Sequence, residues 1–95
     1  MSLKQDFADH IKSQGEIWRA QIKDFQQHLE RSGEQAHADY KKAVAQMESN
    51  AEDARKLFEK VQGTSETAWK DVHSATEKAF AELQKGWAEA LSRFK

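Results

Sequence analysis

The sequence predicts an all-α protein built from two or three long amphipathic helices, packed as a bundle or coiled-coil hairpin and completed by oligomerisation. Three observations predict it. The chain of 95 residues contains no proline and four glycines, so it lacks the residues that make the tight turns of an all-β fold. Apolar residues recur three, four or seven positions apart, and period-two alternation persists nowhere beyond a few residues. Charged residues make up 33 % of the chain, and many sit one helical turn from an opposite charge, as in Glu52 with Lys56, Glu66 with Lys70 and Glu89 with Arg93.

The first helix is expected over 3–31, where Leu3, Phe7, Ile11, Trp18, Ile22, Phe25 and Leu29 carry the apolar rhythm. A second, over 34–62, rests on Ala36, Tyr40, Val44, Met47, Ala51, Ala54, Phe58 and Val61. A third, over 65–94, rests on Trp69, Val72, Thr76, Phe80, Leu83, Trp87, Leu91 and Phe94. The strongest break is Gln62-Gly63-Thr64-Ser65-Glu66: Gly63 can take the left-handed conformation after a helix, and Thr64 or Ser65 can cap the next one. Glu66 then lies in the first turn, where the helix dipole favours an anion. Ser32-Gly33 is a weaker break, because the rhythm runs through it; without it the first two helices are one. Gly15 and Gly86 fall inside strong periodicity and read as interior helix positions. The whole chain, 1–95, reads as one helical domain, each helix about 45 Å long.

The rhythm has a period of its own. Phe25, Ala36, Met47, Phe58, Trp69, Phe80 and Leu91 are each eleven residues apart, and Phe7, Trp18, Leu29 and Tyr40 form a second such series. Eleven residues in three turns is about 3.67 per turn, close to the relaxed helix, so these helices pack nearly straight. The apolar seam expected to make contacts, in a core or between copies, comprises Trp18, Phe25, Tyr40, Phe58, Trp69, Val72, Phe80, Leu83, Trp87, Leu91 and Phe94. Burying rings of this size is worth roughly 1.5–3 kcal/mol each before entropy is counted.

Composition narrows the function. Fifteen basic against sixteen acidic side chains leave a net charge of −1, and each third of the chain is balanced. No basic stripe marks a nucleic-acid binder. There is no cysteine, hence no disulfide, thiolate zinc site or cysteine nucleophile. Mean hydropathy of −0.95 and the lack of a long apolar run argue against a membrane span. The first residues, Met1-Ser2-Leu3-Lys4-Gln5-Asp6, have no apolar secretory segment, which makes the cytoplasm the expected location.

Catalytic and metal motifs are also missing. No G-x-S-x-G, P-loop, H-E-x-x-H or G-x-G-x-x-G occurs, and helices of this kind offer little concavity, so no enzyme activity and no cofactor are expected. Asp6–His10, Asp24–His28 and His73–Glu77 are four residues apart, and Glu34-Gln35-Ala36-His37 is the E-x-x-H of ferritin-like bundles. Its single copy beside Gly33 makes a His/Glu metal bundle the least supported reading. The leading reading is a non-enzymatic, self-associating helical protein acting through protein–protein contacts, a homo-oligomer with room for another helical partner. The alternative is an amphipathic coat on a lipid or granule surface, because eleven-residue helices can lie flat on an interface.

Nearly the whole chain also carries a resemblance. Ser65-Glu66-Thr67-Ala68-Trp69-Lys70-Asp71-Val72, then Ala79-Phe80-Ala81-Glu82-Leu83, and the ending Ser92-Arg93-Phe94-Lys95 resemble a family of small bacterial coiled-coil proteins associated with stress response. Glu16-Ile17-Trp18-Arg19-Ala20-Gln21-Ile22 and Ala38-Asp39-Tyr40 resemble that family's long first helix. The resemblance implies a cytoplasmic helical protein of unassigned molecular activity, and it carries over no catalytic or binding residue.

Overall fold

The computed structural model describes residues 2–31 and 33–93, leaving aside the side chains of 34–36. It is all-α: α1 (Leu3–Arg31), α2 (Glu34–Gln62) and α3 (Glu66–Ser92) run up, down and up in a rod of 52 × 19 × 17 Å. The chain breaks at both sites marked by glycine, so the first two helices are separate. Ser32 itself lies outside the described residues.

Three of the helix ends show what satisfies them, whereas no side chain caps α2 at Gly33. Ser2 accepts a hydrogen bond from the Gln5 backbone N–H (3.2 Å) and donates its hydroxyl to the Glu66 carboxylate (2.6 Å), which caps α1 and ties it to the start of α3. Ser65 caps α3 by accepting from the Ala68 N–H at 3.0 Å. Gly63 departs from expectation. Its φ of −81° is right-handed, and no described residue has a positive φ. The carbonyls at the end of α2 are met otherwise: Thr64 Oγ1 donates to Lys60 O (2.8 Å), the Thr64 N–H to Val61 O (3.1 Å), and Lys4 Nζ reaches Val61 O from α1 (3.4 Å). With those carbonyls satisfied, a left-handed residue has nothing left to do. The position of Lys4 also places a cation at the negative end of the α2 dipole.

The helices are unequally spaced. α2 lies close to both neighbours, whereas the backbones of α1 and α3 meet at few points. Small side chains permit the close approaches. Ala51 and Ala54 of α2 face Ile11 and Gly15 of α1, and Ala54 is 1 % exposed. Between α1 and α3 aromatic rings act as spacers: Phe7 meets Trp69 (centroids 5.6 Å), and Trp18 meets Phe80 (6.2 Å). Phe7 and Trp18 are eleven residues apart, and so are Trp69 and Phe80. The eleven-residue period therefore keeps two parallel helices in register, ring against ring, over three turns.

Polar side chains fix the third interface. Gln46 Nε2 donates to Gly86 O (2.9 Å) and Asn50 Nδ2 to Leu83 O (3.0 Å), and among the described residues no buried side-chain N or O lacks a partner. The two interior glycines should therefore respond differently. A Cβ at Gly15 meets nothing within 4 Å, whereas one at Gly86 meets Asn50 Nδ2 at 3.0 Å. Gly15→Ala is expected to stabilise the protein by roughly 0.5–1 kcal/mol, the helix-propensity gain. In Gly86→Ala that gain is offset by displacing Asn50 from its carbonyl, a loss of about 1 kcal/mol. Thermal unfolding should rank Gly15→Ala above the parent and Gly86→Ala at or below it; equal rises in both would refute the Asn50 clamp.

Candidate functional site

Most of the seam read from the sequence lies within the bundle. Trp18, Trp69, Phe80 and Trp87 are buried, and Phe25, Tyr40, Phe58, Val72, Leu83 and Leu91 are half-buried. Trp18 stacks on Trp87 with centroids 5.0 Å apart and planes 9° apart, and the Phe7 ring stands edge-on to Phe80 at 5.9 Å. Phe94 lies outside the described residues. One chain therefore covers most of its aromatic surface from within, and any partner must use what is left.

What is left runs along the open side of α1 and α3. Because aromatic rings hold these helices apart, a groove of about 500 Å³ opens near their N-terminal ends. Phe7 and Trp69 form its floor, Leu3, Asp6 and His10 one wall, and Lys70, His73 and Glu77 the other. Leu3 is 80 % exposed and Ile17, two turns beyond His10, is 52 % exposed; they are the large apolar side chains that the fold leaves in solvent among the described residues. At 100° per residue Leu3, His10 and Ile17 fall within about 40° of one another, on the side of α1 that faces α3. Between α1 and α2 lie a small groove of about 80 Å³ lined by Ile11, Gly15, Ala54 and Phe58, and a shallower one of about 370 Å³ lined mainly by polar side chains such as Lys23, Gln26 and Glu48.

His10, His28 and His73 take part in ring contacts. His10 meets the edge of Phe80 at 5.4 Å, His28 lies against Tyr40 at 5.2 Å, and His73 lies 6.1 Å from Trp69. His73 Nδ1 is 3.8 Å from Glu77 Oε1. Among the described residues no group of three or more His, Asp or Glu side chains could hold a metal ion. The E-x-x-H falls at the first turn of α2, where His37 is exposed and the Glu34 side chain lies outside the described residues. On the edge of α2 beside α1, Arg55 bonds Glu52 and Glu59; its hydrogen bond holds the Glu52 carboxyl below the ordinary range, and Glu52 in turn raises Arg55. These are solvated pairs, remote from the Phe7–Trp69 groove. Among the described residues no helix is long and apolar enough to cross a membrane.

No protein-family model, curated protein or solved structure matches this chain. The site therefore rests on its own geometry. The eleven-residue reading overlooked Ile17 and His10 as surface features, because Ile17 neighbours the dominant Trp18. The signal that finds them is a separate seven-residue step, Leu3 to His10 to Ile17.

Proposed function

We propose that the protein is a non-enzymatic, self-associating helical module of the cytoplasm that acts through protein–protein contacts. The observation that carries this reading is the apolar surface left on α1, Leu3 on the rim of the Phe7–Trp69 groove and Ile17 further along the same helix, on a bundle whose aromatic core is otherwise covered. A groove floored by aromatic rings, with an exposed leucine on its rim and charges of both signs around it, suits contact with another protein surface. A link to stress response is part of the proposal, and its support is the sequence resemblance.

Light scattering across a range of concentrations tests it. The expected result is a mass of at least two chains in dilute buffer, with tryptophan emission already blue-shifted in the absence of lipid. The coat reading requires the bundle to open so that Trp18, Phe80 and Trp87 can reach lipid. A monomeric mass together with helix gained only on adding vesicles would replace self-association by that reading.

A further inference from the structure

We propose that the occupant of the exposed α1 stripe is a second copy of this chain, docked antiparallel about a two-fold axis at Ile17. The inference rests on the self-association reading and names its surface and geometry. Along α1 the exposed residues Asp6, His10, Ile17, Asp24 and His28 fall within an arc of about 40°. Their successive steps are four, seven, seven and four residues, a spacing that reads the same in both directions. Their chemistry does not read the same in both directions, and that is the decisive point. Reversing the stripe sets Asp6 opposite His28 and His10 opposite Asp24 on the other copy, with Ile17 meeting Ile17.

Antiparallel docking thus pairs both carboxylates of the stripe with an imidazole, whose N–H donates to a carboxylate in either protonation state. The His28 ring lies against Tyr40 of α2, and its side chain is exposed. Parallel docking in register would set Asp6 on Asp6 and His10 on His10, like against like. Leu3 at one end then meets Arg31 of the other copy, whose aliphatic stem can cover an apolar side chain. The residues flanking the axis, Ser13, Gln14, Ala20 and Gln21, are uncharged, so nothing charged is desolvated at the centre. The area is sufficient too. A 29-residue helix is about 43 Å long, and a strip about 12 Å wide on each copy gives about 1,000 Å² in total, the lower bound for a specific interface.

The chain has no cysteine, so single cysteines report the geometry cleanly. Under a mild oxidant, Ile17→Cys is expected to cross-link to itself, since the axis brings the two positions within disulfide reach. Leu3→Cys alone should not, but a mixture of Leu3→Cys with Arg31→Cys should give the mixed dimer. Ser49→Cys, on the exposed side of α2, supplies the background level. Asp24→Lys should weaken the dimer by about tenfold in Kd, because the two-fold applies the change twice, and adding His10→Asp should restore it. Positions 10 and 24 are fourteen residues apart in one helix, about 21 Å, so that rescue can only act between copies. Two results overturn the proposal while leaving self-association standing: a dimeric parent in which Ile17→Cys cross-links no better than Ser49→Cys, or efficient self-cross-linking of Leu3→Cys. A parent that is monomeric at every concentration overturns both.

Discussion

Phe80→Ala is expected to lower the unfolding free energy by about 3–5 kcal/mol, measured by denaturant titration. The ring is 3 % exposed and stands at the meeting point of the two outer helices, against Phe7, His10 and Trp18. Its loss removes apolar burial and leaves a void that the bundle cannot readily close. α1 and α3 are held apart by further ring pairs above and below, Trp18 on Trp87 and Phe7 on Trp69, so the helices cannot move inward at Phe80 alone. In a rod of 95 residues such a loss takes much of the stability, typically only about 5–15 kcal/mol in total. A loss below about 1 kcal/mol would mean that the aromatic spacers are not packed as described.

Ala54→Leu is expected to cost roughly 1–3 kcal/mol for the opposite reason. Ala54 is 1 % exposed and lies where α2 approaches Ile11 and Gly15 of α1, an approach that the small Ala51, Ala54 and Gly15 permit. A leucine there must turn its branched end into the narrow groove of about 80 Å³ beside Arg55 and Phe58, or push the helices apart. Shortening the facing side chain should relieve it. The double variant Ile11→Ala with Ala54→Leu is therefore expected to be less destabilised than the sum of its parts, and strict additivity would show that the two positions do not share a space.

Helix boundaries were legible where local chemistry writes them. The break at Gly63–Ser65, the cap at Ser65 and the interior positions of Gly15 and Gly86 follow from residues within one turn of the feature. The break at Gly33 was less legible, because the apolar rhythm runs through it and no side chain caps α2 there. The conformation of Gly63 was not legible, because its carbonyl neighbours are satisfied in part by Lys4, which is remote in sequence. Nor was the Asn50–Leu83 clamp, which joins two helices and leaves no trace in either one alone.

The same division applies to the candidate site. By itself the sequence determined the all-α class and the eleven-residue period, because periodicity is a property of a single helix. Only the tertiary structure decided how the apolar seam is shared out: Trp18, Trp69, Phe80 and Trp87 face inward within one chain, and Leu3 and Ile17 stay in solvent. The physical reason is geometric. A helix announces that it has an apolar side, but which part of that side is covered depends on how closely its neighbours approach. Here alanines draw α2 inward while aromatic rings hold α1 and α3 apart, and the exposed edge is the consequence of that unequal spacing.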